Sequence, residues 1–428
     1  MKKRNVTTQV ICILAILIAI ATPAFAKKGK KKDKSEKQYS PVVMELKALY
    51  DTDKNFRNII DNALLSAIPT PDGWSPTPEE LAKYPDDSSE LFVWPEKNFE
   101  DLMDFFQAWS TFVPNPTNGM EYYELLYGLC YYNVNALKFV ATEPGLSWTK
   151  KFVDARGDFM DSTASIDPTI MEQWKEALGP AWNDFIPPHD TTEGFEGYTT
   201  FNEFFTRNVK PEARPIFQPE NDNILSAPAD GLVNVINQNL NTESRIHTKY
   251  NEYLNVDQLL AGSEHASKFI GGTATASVLL PNDYHHYHSP AAGTIVETKA
   301  VDYVGGVYFG MDGQFFTFSN NGNIGGYQSN YGIFGVYHRG YYIIKTKHHG
   351  YIAMIPVGLD DISSINFEPK FEPGRIPSSG VQVKKGEKIG HFAYGGSTVI
   401  LLFEPGVFDG IKLQQGVQFG ELNPLNAE

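Results

Sequence analysis

The chain has 428 residues, of which 42% are hydrophobic, and this is enough apolar material for the cores of two domains. It carries 51 acidic and 36 basic residues, and the resulting net charge of −15 argues against nucleic acid as a partner. Only Cys12 and Cys130 are present, and Cys12 falls in a segment expected to be removed, so no disulfide within the mature chain is expected.

Residues 1–26 have the features of an export signal. A basic start is followed by the apolar run Val10–Ala21 and by the small-residue cleavage site Ala24-Phe25-Ala26. An uncleaved anchor is the alternative, although the run is short for crossing the hydrocarbon core of a bilayer. We therefore expect an exported protein of the periplasm or cell envelope.

A basic linker is predicted over residues 27–40, since seven lysines fall between residues 27 and 37. Such a tract can be a solvated, disordered connection. It can also attract an anionic membrane surface, at about 1 kcal/mol for each nearby charge. Peripheral contact with a membrane is therefore one of the expectations for this chain.

Residues 41–195 are predicted to form a helical N-terminal domain. Apolar residues recur at helical spacing from Val42 to Leu49, from Phe56 to Ala63, from Leu102 to Trp109 and from Phe152 to Met160. The stretch Pro69–Ser89 is rich in Pro, Asp and Ser, which is typical of a loop.

The pattern changes to short β-strands after residue 220, and we assign residues 196–428 to a second, β-rich domain. Its candidate strands are Leu232–Ile236, Thr294–Ala300, Tyr341–Lys347, Tyr351–Val357 and Val399–Phe403. The predicted fold class is therefore α+β, a helical domain followed by a β-rich catalytic domain.

The tetrapeptide Gly395-Gly396-Ser397-Thr398 directly precedes the last of these strands. Taken alone, it is typical of a glycine turn that enters a strand. A serine hydroxyl can also attack the carbonyl of the preceding residue, and Gly396, which lacks Cβ, can adopt the strained or left-handed backbone that this needs. The ester can then eliminate and leave an N-terminal pyruvoyl group, a ketone that forms a Schiff base with an amine.

Three further motifs precede this tetrapeptide. They are Phe201-Asn202-Glu203-Phe204-Phe205-Thr206-Arg207, Pro228-Ala229-Asp230-Gly231 and Tyr284-His285-His286-Tyr287-His288-Ser289-Pro290. Their order and spacing over about residues 195 to 410 resemble those of phosphatidylserine decarboxylases. Asn133–Ala136 and the helix from Phe152 to Met160 resemble the helical extension of fungal-type tryptophan decarboxylases, which belong to the same pyruvoyl superfamily.

The resemblance implies a role for each motif residue. Asp230 and His288 would assist Ser397 in self-cleavage between Gly396 and Ser397, and the two chains would stay associated. Ser397 would become the pyruvoyl cofactor and carry the Schiff base, while His285 would serve decarboxylation. No metal is implied.

Three functions are compatible with these patterns. The motifs favour decarboxylation of phosphatidylserine to phosphatidylethanolamine. The helical extension and the acidic body favour a soluble amino acid such as tryptophan as the substrate. A metal-binding, cupin-like β-barrel without processing, with His285, His286 and His288 as ligands, is the alternative of another class.

The sequence departs from the family pattern at several positions. Ala227 stands where many members have Ser, and His286 where many have Arg. A segment that often reads V-G-A-x-x-V-G-S-I appears here as Val357–Ile365, and the frequent Asn-Glu-Arg appears as Tyr337–Arg339. These changes leave the cleavage residues in place and put the recognition of substrate in doubt.

Overall fold

The computed structural model describes residues 37–65, 98–119, 122, 139–140, 142–241, 246–247, 253–254, 256–301, 339–359, 365–394 and 396–412. The predicted export signal, nearly all of the basic linker, the predicted loop Pro69–Ser89, the Asn133–Ala136 segment and Cys130 lie outside these residues.

Helices dominate the described residues before position 185, as the apolar spacing predicts. They are α1 (Pro41–Thr52), α2 (Lys54–Leu65), α3 (Phe99–Ser110), α4 (Gly145–Met160) and α5 (Pro168–Leu178). Two short helices follow within the later part of the chain, α6 (Phe201–Phe205) and α7 (Val256–Leu259). The four predicted helical stretches are confirmed.

An aromatic core holds α1 to α4 together. Phe106 of α3 is fully buried, and its ring meets those of Trp148 and Phe152 edge-on at 4.7 and 5.0 Å between centroids. The indole N–H of Trp148 donates to the carbonyl oxygen of Val42 at 2.8 Å, which ties α4 to α1. Such large buried rings dominate the energetics of a small helical core.

The second half of the described chain is built from fourteen short strands. They are β1 (Phe185–Ile186), β2 (Asn208–Val209), β3 (Leu232–Gln238), β4 (Ile246–His247), β5 (Tyr253–Leu254), β6 (Thr273–Leu279), β7 (His286–His288), β8 (Gly293–Val301), β9 (Arg339–Lys345), β10 (Tyr351–Leu359), β11 (Ile365–Phe367), β12 (Val381–Val383), β13 (Lys388–Phe392) and β14 (Gly396–Phe403). The strand predicted at Tyr341–Lys347 is β9, which begins at Arg339 and ends at Lys345, two residues earlier than predicted at both ends.

Seven strands form one antiparallel sheet in the order β12-β8-β9-β10-β14-β6-β3. A second sheet of three strands has the order β11-β13-β7. Strand β14 is interior to the large sheet, hydrogen-bonded to β10 on one side and β6 on the other.

Both faces of the large sheet are buried at its central strands, whereas Leu232, Val233 and Ile236 of the edge strand β3 are exposed. Side chains alternate between the faces along a strand, so Ile400 and Leu402 of β14 belong to one core, together with α7, and Val399 and Leu401 belong to the other. The second core also contains Tyr287 of β7 and therefore lies between the two sheets.

The α+β class is confirmed, since helices come first and a sheet-rich region follows. Within the described part of the chain, no helix combines the length and the apolar character that crossing a membrane requires.

Candidate active site

Ser397 is the second residue of β14, and its Cα is paired with Gly358 of β10 and with Leu279 of β6. Its position in the alternation directs its side chain to the same face as Val399 and Leu401, towards the smaller sheet. The residue is fully buried, and its Oγ has no hydrogen-bond partner among the described residues. A buried hydroxyl without a partner costs about 1–3 kcal/mol of folding free energy, so the Ser397 hydroxyl lowers the stability of the fold.

Gly396 is part of the strand and not of a turn before it. Strand β14 begins at Gly396, whose partner across the ladder is Leu359. The pairing gives Gly396 the backbone of a strand and not the left-handed backbone, which is one of the two conformations, strained or left-handed, that glycine permits there. The carbonyl group that Ser397 would attack therefore belongs to a residue whose backbone is extended and paired with β10.

Gly231 brings the aspartate motif against the strand next to Ser397. Gly231 has φ +150°, and a Cβ there would lie 2.6 Å from the carbonyl oxygen of Val278. Val278 is paired with Thr398, so the loop that carries Asp230 approaches the sheet one strand away from the serine. Only glycine permits so close a contact.

The carboxylate of Asp230 binds Arg214. Nε of Arg214 donates to both carboxylate oxygens at 3.1 Å, and Nη2 donates to Oδ2 at 2.8 Å. Such forked pairs are among the stronger hydrogen bonds of proteins. Asp230 does not accept a hydrogen bond from the His288 imidazole, whose Nδ1–H is directed to the carbonyl oxygen of Gly386.

His288 is tied to the aspartate motif through its backbone, since its N–H donates to the carbonyl oxygen of Pro228 at 2.7 Å. Its Nδ1 donates to the carbonyl oxygen of Gly386 at 2.9 Å, so Nε2 is the basic nitrogen and accepts from the hydroxyl of Tyr284 at 3.2 Å. Burial lowers the pKa of His288 below 6.5, and the charge of Asp230 partly opposes this effect. The ring is therefore a neutral base.

His285 is also buried, and the residues around it come from the phenylalanine motif. Its Nδ1 donates to the carbonyl oxygen of Asp283 at 2.9 Å, and its ring lies 3.8 Å from that of Phe205. Arg207 donates to the carbonyl oxygens of Asn282 and Asp283 at 2.6 and 2.9 Å, which fixes the turn before the histidine. Burial, and next the charge of Arg207, hold the pKa of His285 well below 6.5.

The three histidine rings do not converge on one point as metal ligands would. His285 and His288 bond the carbonyl oxygens of Asp283 and Gly386, and Nε2 of His286 donates to that of Thr206 at 2.8 Å. Among the residues that the structure describes, no group of three or more His, Cys, Asp or Glu side chains could hold a metal ion. The geometry does not favour the cupin-like interpretation.

The segments that carry the predicted site residues are linked near one end of the large sheet, although the Ser397 hydroxyl has no hydrogen bond to His285, His288 or Asp230. Strand β6 ends at Leu279, opposite Ser397, and a turn closed by Asp283 Oδ2 and the N–H of Leu280 at 2.7 Å leads to the histidines. The N–H of Phe392 donates to the carbonyl oxygen of His285 at 2.9 Å, which joins the histidine motif to the approach to Ser397.

Two residues, Tyr284 and Arg214, make contacts with His288 and Asp230 that the sequence alone does not indicate. Tyr284 belongs to the quoted histidine motif, and only the structure reveals that its hydroxyl reaches His288. Arg214 lies between motifs, and no local pattern distinguishes it from a surface arginine.

A protein-family model described as Phosphatidylserine decarboxylase matches residues 201–423, just over half of the chain. The chain is 34% identical over 211 residues to Phosphatidylserine decarboxylase proenzyme 3 of Schizosaccharomyces pombe, which covers 49% of this chain and 19% of that protein. It is 32% identical over 237 residues to Phosphatidylserine decarboxylase proenzyme of Myxococcus xanthus, and this alignment covers 54% of this chain and 77% of that protein. It thus spans about a fifth of the yeast relative and most of the bacterial one.

Decarboxylase iboD of Amanita muscaria is 27% identical over 284 residues, covering 63% of this chain and 76% of that protein. This alignment is longer than the stretch that the family model matches. The match is consistent with the resemblance of the N-terminal helices to a fungal-type extension.

The geometry predicts the tautomer and the titration of His288. At neutral pH the ring should be the neutral Nδ1–H form, and Tyr284→Phe should raise its pKa towards 6.5, because the lost hydroxyl donates only to the unprotonated nitrogen. Tyr287→Phe is the control, since that hydroxyl donates to Asn366 instead. An NMR titration of the imidazoles measures both; an unchanged value in Tyr284→Phe would contradict the arrangement.

Proposed function

Since the chain belongs to the phosphatidylserine decarboxylase family, we propose that it is a pyruvoyl-dependent decarboxylase that matures by self-cleavage between Gly396 and Ser397. The observation that carries the proposal is the fully buried Ser397 hydroxyl, which has no hydrogen-bond partner within the described residues and lies inside the stretch 201–423 that the family model matches. A buried hydroxyl kept free of partners is available as a nucleophile.

Self-cleavage requires a base for the serine proton. Nε2 of His288 is neutral and basic, and the negative charge of Asp230 raises the pKa of this ring as it takes up a proton. Asp230 would therefore act through its charge, held in place by Arg214, and not through a hydrogen bond to the imidazole. Ser397 Oγ bonds to the carbonyl carbon of Gly396, the amide C–N bond breaks, and His288 returns the serine proton to the leaving nitrogen of residue 397.

The ester then eliminates, so that Gly396 keeps both oxygens as a free carboxylate and residue 397 becomes dehydroalanine. Uptake of water and release of ammonia leave the ketone of a pyruvoyl group at the new N-terminus. This group supplies an electrophilic carbonyl for an amine and a sink for the electrons released with carbon dioxide.

The new N-terminus would stay in the sheet after cleavage. Strand β14 pairs with β6 and β10 along its length, and Ile400 and Leu402 are buried. These contacts join the two products of cleavage without a covalent bond, so we expect the two chains to remain associated.

His285 would serve the substrate. Its ring is held neutral, so it cannot act as a fixed cation for a carboxylate. A substrate carboxylate within a few ångströms would raise the pKa of His285, and protonation would then accompany binding. The proton would be available to the carbon that loses carbon dioxide.

The substrate that we propose is phosphatidylserine, and the product is phosphatidylethanolamine. The family and the naming of the yeast and bacterial relatives support this choice. The match to a fungal protein named only as a decarboxylase supports the alternative, a soluble amino acid such as tryptophan. Export to the cell envelope and peripheral membrane contact, inferred from the first 40 residues, belong to the same proposal.

Ser397→Ala should remain one chain and release no carbon dioxide, because the hydroxyl supplies both the nucleophile and the carbon skeleton of the cofactor. The wild-type protein should give two chains in intact-mass spectra, one ending at Gly396 and one starting at position 397 with a blocked N-terminus. The mass of the larger chain also reports whether residues 1–26 are removed. Ser277→Ala, on the adjacent strand, is the matched control and should process normally. An active wild-type protein that stays uncleaved would refute self-processing.

Asp230→Asn and His288→Ala should slow self-cleavage by about 10²- to 10⁴-fold, the range expected on loss of general-base catalysis. Asp230→Asn removes the charge that raises the pKa of His288. Time courses on gels after synthesis measure the rate. Maturation of both variants at the wild-type rate would show that another group is the base.

His285→Ala should separate processing from turnover, because its ring faces Phe205 and Asp283 and not the base His288. We expect a processed protein with less than about a hundredth of the wild-type activity. The assay follows carbon dioxide release from phosphatidylserine vesicles and from a panel of free amino acids, which also identifies the substrate of the wild type. An unprocessed variant, or a processed and fully active one, would refute the separate roles of His285 and His288.

A further inference from the structure

The last residue with a side chain before the cleavage site is Tyr394, because only Gly395 and Gly396 separate it from Ser397. Its ring packs against Phe201 and Phe205 of α6, with centroids 5.6 and 5.3 Å apart. Gly396 is held by its pairing with Leu359 of β10, but Gly395 has no side chain by which it can be held, so the fixing of Tyr394 affects how the chain enters β14.

The backbone N–H of Tyr394 donates to Oδ1 of Asn202 at 3.2 Å. The other side of the same amide, Nδ2, donates to Oδ1 of Asp161 at 2.7 Å. A carboxylate only accepts and an N–H only donates, so both partners require the same orientation of the Asn202 amide. Asp161 follows the last residue of α4, and two hydrogen bonds therefore connect the N-terminal helices to Tyr394.

Arg156 of α4 makes a second connection. It is buried, and Nη1 donates to the carbonyl oxygens of Trp109 and Phe112. Its guanidinium carbon lies 5.8 Å from the centroid of the Tyr394 ring, within the range of a cation–π contact. Burial lowers the pKa of Arg156 to about 10, which still leaves it charged at neutral pH.

We propose that the helical N-terminal region positions the self-cleaving segment, with Asp161 acting through Asn202 and Arg156 acting through the ring of Tyr394. The inference rests on the proposed self-cleavage at Gly396–Ser397. Attack within one peptide unit depends on the angle between Oγ and the carbonyl carbon, and small displacements of that geometry are costly to rate. Asp161 and Asn202 are thus positioning residues that do not touch the reacting atoms.

The hydrogen-bond pair can be tested by exchanging its partners. Asn202→Asp places two carboxylates face to face and should slow self-cleavage about tenfold. The double variant Asp161→Asn/Asn202→Asp restores one donor and one acceptor with their positions exchanged, while the new carboxylate still accepts from Tyr394. It should regain most of the wild-type rate. Asp161→Asn alone keeps an acceptor and should stay within about twofold of wild type.

Asp158→Asn is the matched control, because Asp158 is exposed like Asp161 and lies three residues before it, but the Asn202 amide donates to Asp161 and not to Asp158. Processing is followed on gels, and the thermal midpoint of unfolding is measured for each change in the uncleavable Ser397→Ala background. We expect Asp158→Asn to be processed at the wild-type rate. Among the other variants, self-cleavage should be slow only where the donor–acceptor pair between positions 161 and 202 is lost, while the thermal midpoints of all variants stay close together.

Three results would overturn the inference: a wild-type rate in Asn202→Asp, no recovery in the double variant, or rates that simply follow the thermal midpoints. In each case a wild-type protein that still cleaves leaves the proposed function intact. A wild-type protein that does not cleave at Gly396–Ser397 would refute the proposed function, and the inference with it.

Discussion

The structure depends on the pairing of β14 with a strand on each side. Because β6 and β10 fix the backbone of β14, the alternation of side chains determines the face on which the Ser397 side chain lies. Its hydroxyl is buried on the side of the smaller sheet and has no hydrogen-bond partner within the described residues. The same pairing keeps Gly396 extended. The nucleophile and its target are thus held by the most constrained part of the sheet, where the fold itself resists relaxation around a costly buried hydroxyl.

Backbone carbonyls, more than charged side chains, arrange the groups around this serine. The buried His285 and His286 and the partly buried His288 each donate to a carbonyl oxygen, which selects the tautomer and leaves the other nitrogen as the basic one. Arg207 likewise donates hydrogen bonds to the carbonyl oxygens of the turn before His285. Burial then keeps these rings neutral, and the pKa of His286 is lowered to about 3. Acid should therefore destabilise the fold as the pH drops below 6.5, since the unfolded chain binds these protons first.

The sequence predicts this arrangement in part. Helical spacing located α1 to α4, because a single buried stripe such as that of Phe106 and Trp109 is a local property. The order of the motifs predicts Asp230, the histidines and Ser397 as residues of one site, and their roles stay a prediction. It could not supply the partner of Asp230, since Arg214 carries no pattern of its own. The sequence also does not predict which carbonyl oxygens accept from the histidines. Every residue has a carbonyl oxygen, and only the long-range folding of the chain determines which of them lies next to a ring.

The departure at position 286 has a physical consequence at His288. An arginine there, as in many members of the family, would bring a fixed positive charge two residues from the base. The imidazole of His286 instead stacks on Tyr284, with centroids 4.6 Å apart and planes 6° from parallel, and bonds Thr206 through Nε2. Tyr284 is the residue whose hydroxyl reaches His288. A neutral ring at this position therefore stacks on the tyrosine without adding a fixed positive charge to that of Lys388, which already lowers the pKa of His288 while Asp230 raises it.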